Sequence, residues 1–361
     1  MSIRTRRGLG AILALTLTTA LAACSSSSSD SAAGNNGQCT PADLPTINLA
    51  AYSTARGVYG ALIPAFQTIW KDAHDGQQVK FLESYDGSTT QSQNVINGFP
   101  ADIVALSLAP DVTAIQDAGL ITSDWTTDQN SGGADAGMVS SSVVAFDVRP
   151  GNPLGIADYS DLATPGVEVL TPDPAQSGGA RWNLVSAYGA AMRGYTGNTK
   201  DDETGADNLL KGIIGNVKAF DKSAHASVQN FEAGVGDVAI TYENEILTAQ
   251  DAGLPDEAVY PESAVQIQNP VAIVDKNVDD HCVRPIAEAF VQFLHSKDAK
   301  AIYAKNGFLR PVDLASAQKG GPGMPAIKDL WTVDEIGGWD ALTEKLFSDT
   351  GVATQAIASQ G

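Results

Sequence analysis

A chain of 361 residues is long enough for about two well-buried domains. With 43% apolar and 18% charged residues, 35 Gly and 17 Pro, it has ordinary globular usage, which excludes collagen, coiled coil and wholesale disorder. Asp and Glu number 42 against 22 Lys and Arg, a net charge of -20 with no basic block beyond the first ten residues, which argues against nucleic acid or anionic lipid as a partner.

Arg4, Arg6 and Arg7 precede an apolar run over 9–21 that ends in Leu21-Ala22-Ala23-Cys24. Residues 1–23 read as a secretory signal, too short for a comfortable membrane span. The ending resembles a bacterial lipobox, in which Cys24 becomes the lipidated first residue of the mature chain; the alternative is an ordinary cleaved signal. Arg6-Arg7 also raises twin-arginine export, although the residues after the pair fit it poorly. Removing residues 1–23 takes away three Arg and no acid, so the mature charge is -23. Residues 24–43 then form a linker, mostly Ser, Ala, Gly and Asn, with little to bury. Two cysteines remain, Cys39 and Cys282, and in an exported chain they most simply pair as a disulfide, the alternative being two free thiols.

In the body, strand-like runs alternate with helical ones. A strand over 46–51 precedes a helix with Val58, Leu62, Phe66, Ile69 and Trp70 on one face; 79–82 precedes 89–96; 102–108 precedes 111–118. A second series starts at 142–148, continues with 167–170 and a helix over 180–192, and reaches 238–242 with a helix over 244–251. Such alternation implies parallel α/β sheets in two similar units. The remainder, from 285 to 347, reads as helical and is expected to pack back on the first unit.

Open parallel sheets bind ligands at the carboxyl ends of their strands. The chemistry is therefore sought in the loops 52–57, 84–89, 171–182 and 222–227, each offering Ser or Gly at a helix start. A helix N-terminus has unpaired N–H groups and about half a unit of positive charge, so an anion suits it. Glycines at 178 and 179 let backbone approach a ligand, and a Ser hydroxyl adds a rotatable donor. Plain capping explains any one of these loops equally well.

The stretch Ser177-Gly178-Gly179-Ala180-Arg181-Trp182-Asn183 after Thr171-Pro172-Asp173-Pro174, with Arg149-Pro150-Gly151-Asn152-Pro153 and Asp158-Tyr159-Ser160-Asp161-Leu162, resembles the bacterial periplasmic sulfate-binding proteins of ABC transporters. The resemblance extends in consistent order from about 46 to 345, through Asn94-Val95-Ile96-Asn97-Gly98, Gly236-Asp237-Val238-Ala239-Ile240-Thr241-Tyr242-Glu243 and Lys305-Asn306-Gly307-Phe308-Leu309-Arg310-Pro311. It implies a two-lobed α/β clamshell of the type II periplasmic binding protein kind, each lobe a mostly parallel sheet flanked by helices. One lobe would be residues 44–140 plus 266–361 and the other 141–265. Sulfate would be held dehydrated in the cleft by Ser53, Ser88, Ser177, Gly178, Gly179, Ala224 and Tyr242, with Arg56, Arg181 and His225 in support. The implied partners are an ABC permease with its cytoplasmic ATPase and, through the lipid on Cys24, the membrane; the protein would be a monomer outside the cytoplasm.

The chain departs from the family pattern at four places. Ser53-Thr54-Ala55-Arg56 stands where the family carries Asp-Pro-Thr-Arg; Tyr242 aligns with a tryptophan; and Asp86 replaces a glycine while His225 replaces an arginine. If Asp86 faced the anion it would weaken sulfate binding or select a protonated oxyanion such as phosphate. Thiosulfate, molybdate and phosphate remain alternative ligands, and a surface lipoprotein without a small-molecule ligand is the alternative of another class.

No enzyme or cofactor signature competes. A Gly-x-Ser-x-Gly elbow and a Walker loop are missing. The letters of a dinucleotide fingerprint at Gly234-Val235-Gly236 follow a helix and precede a strand, the reverse of the binding order. His74, His225, His281 and His295 lack paired metal-ligand spacing, so no metal or cofactor is expected.

Overall fold

In the computed structural model, which describes Cys39 and residues 42–122, 124–127 and 134–360, strand β1 (Thr46–Tyr52) opens the fold. The signal segment, the lipidation site Cys24 and most of the linker lie outside the described residues. There follow α1 (Arg56–Ala73), β2 (Lys80–Asp86), α2 (Ser88–Ile96), β3 (Ile103–Ala105) and α3 (Ala109–Asp117). β1 lies between β2 and β3, parallel to both, in the arrangement that strand–helix alternation anticipates. Ile47 and Leu49 of β1 and Val58, Leu62 and Phe66 of α1 are buried in one core. Ile69, expected on the same face, is 46% exposed, whereas its neighbour Trp70 turns inward. Phe66 packs against Trp70, Phe81, Phe290 and Phe293 with ring centroids 5.0 to 6.1 Å apart. Truncating so central a ring to alanine should destabilise by roughly 3–5 kcal/mol.

The chain then enters β4 (Met138–Val148), whose eleven residues are all buried. Beyond it lie α4 (Tyr159–Leu162), β5 (Val169–Pro172), α5 (Gly178–Met192), α6 (Glu203–Gly215), β6 (Val217–Asp221), α7 (Ala224–Glu232), β7 (Val238–Tyr242), α8 (Glu243–Asp251) and β8 (Glu257–Val259). A second eleven-residue strand, β9 (Ser263–Ile273), returns the chain, followed by α9 (Asp275–Asp280), α10 (Arg284–Leu294), α11 (Lys297–Asn306), α12 (Leu314–Lys319), β10 (Asp329–Trp331), α13 (Gly338–Leu342) and α14 (Val352–Ala358).

The strand order is β2-β1-β3-β9-β4-β7-β5-β6. Two lobes follow from it, and β4 and β9 belong to both. Residues 138–143 of β4 pair with β9, whereas Val144 to Val148 pair with β7. In β9 the partner changes from β4 to β3 between Pro270 and Val271. The first lobe thus has the parallel group β2-β1-β3 with β9 antiparallel, and the second has β6-β5-β7 with β4 antiparallel.

The C-terminal segment meets expectation in part: α10 and α11 pack on α1 of the first lobe, whereas the rest departs from it. It contributes a strand, β10, to β9, and its last helices pack on the second lobe rather than the first. Trp339 meets Trp182 edge-on at 4.7 Å, Lys345 pairs with Asp207 at 3.2 Å, and the Gln360 side chain donates to the Ile214 carbonyl. There α14 packs on α6, whose buried residues Leu209, Leu210, Ile213 and Ile214 also face α5 and α4. Cys39 and Cys282 are both disulfide-bonded, in agreement with the cysteine count.

One buried group works against the fold at neutral pH. Asp147, midway between Ala239 of β7 and Ala258 of β8 in register, is 0% exposed, and its carboxyl oxygens close no hydrogen bond of ordinary geometry. Burial pushes its carboxyl up to about 8, with Asp256 and Glu232 adding to the effect and the Glu257 amide and Arg149 opposing it. The unfolded chain releases this proton near 3.8. Between those values only the folded state holds the proton, so stability falls as pH rises through that window. Asp147→Asn should therefore gain stability over the parent from pH 4 to pH 8, by at least about 1 kcal/mol at the upper end, in denaturant titrations. A gain that does not grow with pH would contradict this.

Candidate functional site

Three helices of at least nine residues, α2, α5 and α7, begin within six residues of the strand before them, and their first turns meet. Each exposes amides that have no intrahelical acceptor. In α5 the Ser177 hydroxyl accepts from the third amide, Ala180 N, at 3.4 Å, and in α7 the Ser223 hydroxyl accepts from Ala226 N at 3.3 Å. The residue ahead of α2 is Gly87, which has no side chain to cap with; there the Gln176 carbonyl of the other lobe accepts from Thr90 N at 3.1 Å. In all three helices the third amide is satisfied. The caps leave the first two amides unused at Ser88 and Thr89 and at Gly178 and Gly179, and in α7 those of Ala224 and His225. The His225 amide meets Ser53 Oγ at 3.5 Å, again across the lobes.

Absent side chains make the approach possible. A Cβ on Gly87 would stand 2.4 Å from the Gln176 carbonyl oxygen and 2.8 Å from that of Lys222. On Gly178 it would stand 2.3 Å from Ser107 Oγ and 2.8 Å from Leu108 Cγ. On Gly179 it would meet the Ala224 methyl at 3.0 Å and the Tyr242 ring at 3.6 Å. The expected residues Ser177, Gly178, Gly179, Ala224 and Tyr242 are thus assembled from β5–α5, β6–α7 and β7–α8 connections, with the Ser88 turn and Ser53 facing them from the first lobe.

The fixed charges around these amides are tied elsewhere. Arg181 donates from Nε to the Pro174 carbonyl at 2.9 Å, bracing the loop ahead of α5, and its guanidinium lies over Phe347. Arg56 stacks over Tyr85 at 4.5 Å. His225 Nδ1 lies 2.8 Å from Glu245, whose hydrogen bond holds the imidazole above its ordinary value despite partial burial. Asp86 accepts from the Gly87 amide at 2.9 Å. The Ser88 hydroxyl donates to Asp111 at 2.5 Å and accepts from Ser107 N at 3.0 Å, which leaves the backbone of Ser88, rather than its side chain, to serve a ligand. Burial raises the Asp111 carboxyl, with Ser88, Arg181 and Thr89 opposing.

Two residues here escaped the sequence reading. Asp111 sits in the first turn of α3, where an acid looks like an ordinary dipole partner. Ser107 looks like an exception in the apolar run 103–108, yet it joins the lobes: its carbonyl accepts from the Trp182 indole at 2.7 Å. Among the described residues no group of three or more His, Cys, Asp or Glu is arranged to hold a metal, and no helix is long and apolar enough to cross a membrane.

A family model described as bacterial extracellular solute-binding protein matches residues 47–309. A sulfate-binding protein of Synechococcus elongatus is 38% identical over 355 residues, spanning 97% of this chain and 96% of the relative. A thiosulfate-binding protein of Pseudomonas aeruginosa is 33% identical over 316 residues, spanning 86% and 91%. Among solved structures, the sulfate-binding protein SubI of Mycobacterium tuberculosis is similar with a TM-score of 0.74 at 35% identity, covering 84% of this chain and 99% of that one.

The contact at Gly87 is open to direct test. Gly87→Ala should keep the far-ultraviolet circular dichroism while the Thr90 amide, whose acceptor lies across the lobes, exchanges with solvent at least about tenfold faster, a loss of roughly 1.4 kcal/mol. Unchanged exchange at Thr90 would mean that the opposing carbonyls yield to the methyl group.

Proposed function

The chain belongs to the bacterial extracellular solute-binding protein family, and from that premise we propose that it captures sulfate between its lobes and delivers it to an ABC permease driven by a cytoplasmic ATPase. The observation that carries this reading is the meeting of three helix N-termini whose first two amides are left over by the caps. Amides donate and do not accept, so they suit a tetrahedral dianion without protons. Ser177, Gly178, Gly179 and Ala224 would bind from the second lobe, and Ser53 and the Ser88 turn from the first. Tyr242 would donate its phenol in place of an indole. Arg56, Arg181 and His225 would hold the loops in place, and no catalysis is involved.

Several charge-assisted hydrogen bonds of about 1.5–3 kcal/mol each are enough to offset dehydration in a closed cleft. The mature charge of -23 does not oppose this, because surface carboxylates beyond about 8 Å are screened at physiological salt. The lobe division would follow 44–140 with 266–361 and 141–265, except that the last helices of the chain pack on the second lobe, the anion favouring closure through contacts to both. Residues 1–23 would direct export, and a lipid on Cys24 would hold the monomer at the membrane outside the cytoplasm. Thiosulfate is the second reading, favoured by a relative of that name at 33% identity.

Isothermal titration of the purified protein, dialysed free of sulfate, against sulfate, thiosulfate, molybdate and phosphate tests the proposal. One-to-one binding tightest for sulfate is expected, with about 2.7 kcal/mol of added stability at 100 times Kd. Gly178→Val should abolish binding without unfolding the protein. Retained binding in that variant would exclude the site, and silence toward sulfate would exclude the ligand.

A further inference from the structure

Most buried hydroxyls of the cleft are committed within the protein. Ser88 donates to Asp111, and Ser177, Ser223 and Ser53 accept from helix amides. Ser107 Oγ and the Tyr242 hydroxyl are different. Both residues are 1% exposed, and apart from the contact between the two of them neither hydroxyl has a hydrogen-bond partner among the described residues. They come from opposite lobes, the first from the β3–α3 connection and the second from the end of β7. Each borders one of the two free α5 amides: Ser107 Oγ lies against Gly178, and the Tyr242 ring lies against Gly179. The two hydroxyls are hydrogen-bond neighbours, and that contact opposes the effect of burial on the Tyr242 phenol. The Ser107 backbone is held on both sides, by Ser88 Oγ at its N–H and by the Trp182 indole at its carbonyl, so its side chain has a fixed origin.

A backbone amide can only donate, whereas a hydroxyl can donate or accept. A buried donor or acceptor left unmatched is penalised more than a matched one is rewarded. We propose that Ser107 is a further anion-binding residue and that, with Tyr242, it forms the corner of the site that can either donate to sulfate or accept from an oxyanion carrying a proton. The ligand class so defined is a tetrahedral oxyanion, fully deprotonated or singly protonated, with hydrogen phosphate turning its hydroxyl toward this pair. Ser107 then sets the margin between sulfate and phosphate. This deepens the sulfate-binding reading and rests on it.

The test compares sulfate and inorganic phosphate by calorimetry, with phosphate also measured by displacement of sulfate, in the parent, Ser107→Ala, Tyr242→Phe and the double variant. The parent should bind phosphate measurably but more weakly than sulfate. Each single change should weaken sulfate about tenfold and phosphate about a hundredfold, so that the ratio widens about tenfold, while the melting temperature without anion stays unchanged. The double variant should lose little more than the worse single one, because each hydroxyl has already lost its neighbour. A ratio unchanged within a factor of two, or no phosphate binding in the parent, overturns the role given to Ser107 while sulfate binding stands. A parent that binds neither anion overturns the functional reading itself.

Discussion

Helix N-termini cannot satisfy their own first amides, and here three of them are brought to one place. Every other feature of the cleft serves or tolerates that constraint. The third amide of each helix is closed by a cap, two from serine hydroxyls and one from a carbonyl of the opposite lobe. What remains is a set of amides that the caps do not use, with the positive end of each dipole behind it. Glycine is needed at 87 and 178 for a steric reason, because any Cβ would collide with groups of the other lobe.

The same geometry explains the polar interior of the connection between lobes. Strands β4 and β9 change partners halfway, and the serines at the change are buried and individually matched. Ser141 exchanges two backbone hydrogen bonds with Arg310 and donates its hydroxyl to the Pro311 carbonyl at 2.6 Å, and Ser142 donates to Asn244 at 3.0 Å. Arg310 is fully buried with Glu243, the residue after Tyr242, and also donates to the Ala317 and Pro325 carbonyls at 2.6 and 2.9 Å. Removing one partner of such a pair is typically worse, by about 3–5 kcal/mol, than never having built it. The pair therefore fixes the start of α8, and with it Tyr242, relative to the strands that join the lobes.

Much of this is legible in the residue string, and the exceptions have physical causes. Ser177-Gly178-Gly179 is visible as a helix start open to close approach of backbone, although capping alone would account for it. The strand–helix alternation gives both lobes, but β9 is hidden by Gln266, Gln268, Asn269 and Pro270, whose polarity reflects its passage between lobes rather than across a core. The start of β4 is masked in the same way by Ser140, Ser141 and Ser142. Ser107 and Asp111 leave no local signal, since Ser107 meets Ser88 and Trp182, 19 and 75 residues away, and Asp111 meets Ser88, 23 residues away. The seat of the C-terminal segment is a matter of which apolar face is left uncovered, and periodicity along one segment does not carry that information.

The central claim is that backbone amides, not side-chain charges, hold the anion. Amide proton and nitrogen NMR shifts during a sulfate titration test it most directly. The account predicts saturating one-to-one downfield shifts at Ser88, Thr89, Gly178, Gly179 and Ala224, with the capped third amides Thr90, Ala180 and Ala226 moving far less. Shifts centred instead on the side chains of Arg56, Arg181 or His225, with those five amides unmoved, would contradict it.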